Sequence, residues 1–354
     1  MLSPIWNKKT SDMEPPQSTK PKISLIMAVR NEAKTIAGVL HSLQKQSFTD
    51  FELIVSDGRS EDGTAAILAD FCRTDPRIHW MENNRCYTSH GLNMGIRAAQ
   101  GNIIIILSGH AIPAQDFLQE SIAALDQTTA DCVGGVVIPC GQSFFQVCFS
   151  RILSSWFGTG GARFRYSVKS GNVDTVAYGA YRRMVFERIG GFRENLLRNM
   201  DIEFNSRLIN MGGKVFFSPR IKTYYQVRPT LKSFLGQAFE NGAWNIKTTY
   251  LVPHSLTWRH FIPLCFTAAL FVSAALTILF QLGWISFVSV LFPYSILDMW
   301  SSYKGAKLER KLTYAFVLPG LYFLFHLSYG LGSLFSVLAF PWWCRKLRRN
   351  AFEP

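Results

Sequence analysis

Residues 101–113 read GNIIIILSGHAIP. The five residues from Ile103 to Leu107 make a short apolar run, the pattern of a strand buried on both faces of a sheet. Polarity then changes abruptly at Ser108, Gly109 and His110. In an open α/β sheet, ligands bind in the crevice beyond the carboxyl ends of the strands, which is where these three residues would stand. A lone histidine after a strand is as often structural as functional, so the flanking chain has to decide its role.

Upstream, the same strand–loop–helix order repeats. Residues 23–29 (ISLIMAV) read as a strand that ends at Arg30-Asn31-Glu32. A helix is expected over 33–46, with Ile36, Val39, Leu40 and Leu43 at helical spacing. Residues 51–56 (FELIVS) form a second strand ending in Asp57-Gly58-Arg59-Ser60-Glu61-Asp62-Gly63-Thr64, and a helix follows to about Arg73. A short strand over 78–81 and a helix over 93–99 complete the run up to Gly101. This order predicts parallel βαβ units and an α/β fold with a mostly parallel sheet. Asp57, at a strand end, is placed to accept hydrogen bonds from a ribose or base. Asp62, with Ser60, suits a helix cap instead. The chain has neither GxGxxG nor a Walker lysine motif, which argues against dinucleotide oxidoreductases and P-loop ATPases.

Downstream, a helix is expected over 116–125 and a strand over 132–138. Residues 141–172 are aromatic, Gly-rich and basic, with Arg163, Arg165 and Lys169, and read as a mobile acceptor-side loop or an ordinary surface excursion. A helix is expected over 180–189. Asp201 and Glu203 stand in the first turns of another. Carboxylates two residues apart do not share a helix face, and Arg207 lies four residues after Glu203, so Asp201 is the better general-base candidate. Residues 224–227 suggest an edge strand, and 233–244 a helix that mixes aromatic and polar groups.

The 354 residues are 48% hydrophobic and 14% aromatic, high for a soluble domain. Net charge is +13. Basic residues near the C-terminus adjoin apolar runs, and no nucleic-acid-binding motif is present, so membrane lipid is the expected partner and nucleic acid is not. The cysteines occur without a CxxC pair, and no signal peptide opens the chain, so a cytosolic catalytic part is expected. The expected organisation is a flexible tail over 1–20, a catalytic domain over 21–257, a membrane region with about three apolar segments over 258–343, and a basic tail over 344–354. The apolar runs are 261–280, 284–297 and 312–340, with a cytoplasmic loop at 301–311 carrying Lys304, Lys307, Arg310 and Lys311. Three spans would put the basic tail outside, against its charge. A broken or re-entrant segment near 328–332 would remove that conflict.

In order along the chain, ISLIMAVRNEAKTI, SDGRSEDGT, HGLNMGIRAAQGNIII and NMDIEFNSRL together resemble the family 2 glycosyltransferases, with a GT-A nucleotide-sugar fold, and most closely the exopolysaccharide enzymes of the succinoglycan glucosyltransferase type. QAFENGAW is similar to the acceptor-side segment but lacks the QxxRW motif of processive members. The resemblance implies inverting transfer from a nucleotide diphosphate sugar, with UDP-sugars expected, to a lipid-linked or polysaccharide acceptor such as an undecaprenyl-diphosphate sugar, in exopolysaccharide synthesis at the inner or plasma membrane. It implies that Asp201 is the catalytic base, that Asp57 and Glu32 orient the nucleoside, and that Arg85 contacts uracil or phosphate. It also places a divalent metal, Mn2+ or Mg2+, at the motif that here reads Ser108-Gly109-His110. In that branch the motif is DxD or DxH. Ser108 replaces the first acidic ligand and His110 remains as the metal ligand, an imidazole suiting Mn2+ better than Mg2+. Three outcomes follow: a metal held by His110 and diphosphate oxygens, basic groups in place of part of its charge, or low or altered activity. The last motivates an alternative of another class, a non-catalytic membrane scaffold.

Overall fold

A computed structural model describes residues 20–350 and, from 346 onward, the backbone alone. The tail expected over 1–20 lies outside the described residues except for Lys20, and the basic tail expected over 344–354 is helical as far as it is described, to Asn350.

The chain begins with β1 (Ile23–Val29), α1 (Ile36–Gln44), β2 (Phe51–Asp57), α2 (Thr64–Thr74), β3 (Ile78–Glu82), α3 (Thr88–Ala98) and β4 (Ile103–Leu107). Next come β5 (Ala111–Pro113), α4 (Phe117–Gln127), β6 (Cys132–Cys140), α5 (Phe144–Leu153), α6 (Trp156–Thr159), β7 (Gly171–Asn172), β8 (Ala180–Arg182) and α7 (Arg183–Ile189). The last part holds α8 (Met200–Asn210), β9 (Val215–Gln226), α9 (Leu231–Leu251), α10 (Ile262–Leu279), α11 (Gly283–Glu309), α12 (Thr313–Leu338) and α13 (Phe340–Asn350).

The strands form one sheet in the order β3-β2-β1-β4-β8-β6-β9-β5, with β7 on β9. From β3 to β4 every pairing is parallel, with Ile23 opposite both Phe51 and Ile103. Here the expected βαβ units are present. The other half is mixed: β8 runs antiparallel to β4 and β6, and β5 antiparallel to β9, while β6 and β9 are parallel, so only the first half is parallel throughout. β1 is apolar almost throughout because helices cover both faces. One core sets α1, α2 and α4 against the sheet through Val39, Leu43, Leu68 and Leu118. The other packs Leu92, Phe186, Phe204 and Leu208, from α3, α7 and α8, on the opposite face.

Three expectations are corrected. The 141–172 loop contains α5 and α6, started by a reciprocal cap between Ser143 and Gln146. The helix expected over 180–189 opens as strand β8, because Tyr181 and Ala180 are needed opposite β4 and β6. Val215–Gln226 makes one long inner strand and not two pieces. β9 absorbs Pro219, which has no N–H to give a ladder, in a bulge where Gly134–Val136 face Phe217–Lys222.

Two helices, one beginning at Trp258 and running to Leu279 and the other Thr313–Leu338, are long and apolar enough to cross a membrane. Large side chains such as Phe271, Val272, Ile278, Phe292 and Trp284 point outward from α10 and α11. The loop expected at 301–311 is absent: α11 stays helical to Glu309, and Lys304 lies 3.5 Å over the Trp300 ring. No break occurs at 328–332 either, where α12 is continuous. That helix runs beside α9, with Phe325 against Phe234 and Ser333 bonded to the Gly242 carbonyl at 3.0 Å. A third core joins α5, α9 and α12 to the ends of β6 and β9 through Phe149, Phe234, Tyr322, Val137 and Tyr225.

Candidate active site

β1, β2 and β4 end side by side, and the loops that leave them are stitched together. Asn31 donates its amide to Ser60 Oγ at 2.8 Å and Glu32 its amide to Thr64 Oγ1 at 2.9 Å. Asp62 accepts from the Thr64 amide and hydroxyl and from the Ala33 amide, so it ties the start of α2 to the first loop. Asp57 is buried, and its carboxylate accepts from the Ser60 amide at 3.2 Å and hydroxyl at 2.5 Å. Its carboxylate therefore shapes the turn at the crevice floor. Five non-glycine residues with left-handed backbone, Asn31, Arg59, Cys86, Tyr178 and Asn199, belong to the loops around this crevice. Each costs on the order of 1 kcal/mol, a strain that proteins tend to retain at functional sites.

His110 meets Glu32. His110 Nδ1 lies 2.9 Å from Glu32 Oε1, and the other carboxylate oxygen accepts from Thr35 Oγ1 at 2.8 Å. Burial raises the Glu32 carboxyl, but the His110 bond and charge, with Thr35 and Arg228, outweigh it and hold the group below the usual glutamate range. An ionised carboxylate only accepts, so Nδ1 carries a hydrogen, and Nε2 is the ring atom left free of the Glu32 contact. Gly109 makes room for this pair: a Cβ there would stand 2.8 Å from Val29 Cγ1 and 3.2 Å from Glu32 Cγ. Glu32, expected beside the nucleoside, is thus turned toward the third residue of the Ser-Gly-His motif. Ser108 Oγ bonds the Tyr178 hydroxyl at 3.3 Å.

Among the described residues no group of three His, Cys, Asp or Glu side chains is arranged to hold a metal. The donor set nonetheless fits an ion shared with a substrate. An imidazole nitrogen can serve as a metal ligand, and the His110 ring is oriented from behind by a carboxylate, the usual arrangement around metal-bound imidazole.

Asp201 sits in the first turn of α8, half-buried. Desolvation raises its carboxyl, and the Ile202 backbone amide and the Arg165 charge oppose this only in part, so it lies above the ordinary aspartate value. Glu203 is fully buried and accepts from Arg193 at 2.9 Å and Arg207 at 3.0 Å, the structural role expected for it. The turn before Asp201 is held from α9: Arg198 Nη1 bonds Asn241 Oδ1 at 3.1 Å, and Asn199 Nδ2 bonds Asn245 Oδ1 at 3.0 Å and Thr248 Oγ1 at 3.2 Å. Asn245 in turn donates to the Tyr329 hydroxyl on α12 at 2.7 Å.

Tyr178 and Tyr225 join the two halves of the site. The Tyr225 ring lies 5.9 Å from His110 and 5.7 Å from the Arg165 guanidinium, and Tyr178 feels the charges of both Arg165 and Asp201. Neither tyrosine was among the sequence candidates, because nothing local marks a tyrosine as a site residue. Arg85 does not join this group: it pairs with Glu194 at 3.3 Å, well exposed, on the β3 side of the crevice where Cys86 packs against Gly58.

Residues 24–190 match the family model described as Glycosyl transferase family 2. The chain is 29% identical over 235 residues to the dolichyl N-acetyl-alpha-D-glucosaminyl phosphate 3-beta-D-2,3-diacetamido-2,3-dideoxy-beta-D-glucuronosyltransferase of Methanococcus voltae, covering 62% of this chain and 72% of that protein. It is 24% identical over 222 residues to the succinoglycan biosynthesis protein ExoA of Rhizobium meliloti, covering 62% and 67%. Its fold is similar to that of the mannosyltransferase PcManGT from Pyrobaculum calidifontis, solved with GDP-Man and Mn2+, with a TM-score of 0.54 over 95% of this chain and 91% of that one, at 18% identity.

Proposed function

Given that this chain is a family 2 glycosyltransferase, and so an enzyme, we propose that it transfers a sugar with inversion from a nucleotide diphosphate sugar to a hydroxyl of a lipid-linked or polysaccharide acceptor. The observation that carries this reading is the placement of Asp201, a carboxylate raised by its surroundings at a helix start, across Tyr178 and Tyr225 from the Glu32–His110 pair. Asp201 takes the acceptor proton as the hydroxyl oxygen forms its bond to C1 of the sugar. The bond from C1 to the β-phosphate oxygen breaks, and its electron pair leaves with the nucleoside diphosphate. His110 Nε2 would hold a divalent ion, Mn2+ by preference, and such an ion supplies positive charge to the diphosphate. Asp57 shapes the turn that receives the nucleoside, and Arg85 faces the same side.

The acceptor is a polyprenyl-linked sugar, such as an undecaprenyl diphosphate, drawn from the inner or plasma membrane. The Methanococcus voltae relative, a glucuronosyltransferase named for a dolichyl N-acetylglucosaminyl phosphate, supports this class. The arrangement of α10 and α11 supports a membrane position. Arg259, just before α10, pairs with Asp174 at 2.7 Å, and Glu309, at the end of α11, pairs with Arg151. Both ends of the hairpin are thereby tied to the catalytic domain while its apolar side chains face outward. In this reading α10 crosses and α11, whose exposed side chains are also largely apolar, returns, while α12, although long and apolar enough to cross, packs along α9, and the basic C-terminal residues stay on the cytoplasmic side with the catalytic domain. This removes the conflict of three spans with an inside tail.

The test is transfer from radiolabelled UDP- and GDP-sugars to native lipid extract by the purified full chain. Product is expected with the wild type and a loss of about 100-fold or more with Asp201→Asn. Full turnover in that variant would remove Asp201 from the mechanism.

A further inference from the structure

Five buried side-chain polar atoms among the described residues have no hydrogen-bond partner, and one of them, Nη1 of Arg165, belongs to a charged group. Leaving a donor of this kind unpaired costs on the order of 1–3 kcal/mol, more when it is charged. Arg165 follows α6 in a short turn of 3-10 helix, and its guanidinium lies 5.3 Å from the Phe164 ring and 5.7 Å from the Tyr225 ring. No carboxylate stands within ion-pairing distance of it among the described residues. The same Tyr225 ring meets His110, and Tyr178, which interacts with the Arg165 charge, bonds Ser108. Arg228 and Arg198 add positive charge around the same tyrosine. A guanidinium held by aromatic rings, facing a strand-end crevice with an unused donor, is built for an oxyanion.

We propose that Arg165 binds the diphosphate of the donor and stabilises it as a leaving group, providing charge where Ser108 offers no acidic ligand to recruit a metal. This rests on the glycosyl-transfer reading above. When the C1–oxygen bond breaks, the electron pair settles on the β-phosphate oxygen and Arg165 donates a hydrogen bond to that diphosphate. No proton is transferred, because the guanidinium keeps its charge throughout.

The test is equilibrium binding of UDP and GDP to the full chain in detergent with EDTA present. The wild type is expected to bind at least one of them without metal. Arg165→Gln is expected to bind roughly 10- to 100-fold more weakly, the range for one charge-assisted hydrogen bond, and Arg165→Lys to fall between. Added Mn2+ should recover more affinity in Arg165→Gln than in the wild type, which also shows that the variant is folded. Equal metal-free affinity of wild type and Arg165→Gln would overturn the proposal while leaving glycosyl transfer standing. So would a loss that Mn2+ does not recover. If the wild type binds neither nucleotide under any condition, the glycosyl-transfer reading fails and the proposal with it.

Discussion

Asp201 carries a cost that the proposed role as general base explains. Its carboxyl is raised in the folded chain, chiefly by desolvation, above the value of the unfolded chain. The unfolded state therefore gives up this proton first, and stability falls as pH rises from the unfolded toward the folded pKa. Asp201→Asn should accordingly unfold at a higher temperature near pH 7 while losing turnover, which differential scanning fluorimetry beside the transfer assay will read. Because the base must be ionised, the acid limb of kcat against pH should lie above the ordinary aspartate range. A second prediction concerns Gly109. Alanine there collides with Val29 and crowds Glu32, so the His110 ring loses its fixed orientation. Gly109→Ala should lower turnover about 10-fold or more, and raise the Mn2+ concentration needed for half-maximal rate. The legibility of these residues was uneven. The polarity change after a buried strand exposed Ser108 and His110, and the two-residue spacing with Arg207 separated Asp201 from Glu203. Glu32's partner was not readable, because 78 residues separate it from His110 and only the alignment of β1 with β4 brings them together.

At the level of elements, the parallel half was legible because each strand is a short apolar block and each helix shows an amphipathic face. The second half was not, since β8 has three residues and β9 contains a proline that its bulge hides. The start of α5 did carry a local signal, Ser143 followed three residues later by Gln146, which basic and glycine residues further along obscured. The contact between α9 and α12 is made by glycine. A Cβ at Gly242 would run into the Tyr329 carbonyl, and one at Gly332 into that of Phe239, so the two backbones approach closely. Gly242→Leu should wedge the helices apart at a cost of about 1–3 kcal/mol and move Asn245 away from Asn199. Asn245→Leu removes that link directly. Both variants should lower kcat more than the KM for donor, measured in the transfer assay, because the turn holding Asp201 loosens while the nucleotide side is untouched.

For the molecule as a whole, positive charge and apolar runs pointed to helices able to cross a membrane, two of which occur among the described residues, but not to how the parts meet. A division at residue 257 would cut through the core shared by α5, α9 and α12. Accessibility mapping with a membrane-impermeant thiol reagent checks the hairpin: single cysteines at 281 and at 311 should report opposite sides of the bilayer, and 311 the same side as 169. The shared core also sets a sequence in time. By the end of α9 the catalytic sheet is complete, yet the helix that buttresses Asn245 begins 62 residues later, at Thr313, after the α10–α11 hairpin. In a chain made from its N-terminus, α9 is therefore present before the helix that braces Asn245 and, through it, the turn that carries Asp201. On the reading proposed above, the residues that steady Asp201 come together only after the α10–α11 hairpin has been made, so turnover would follow the docking of α12.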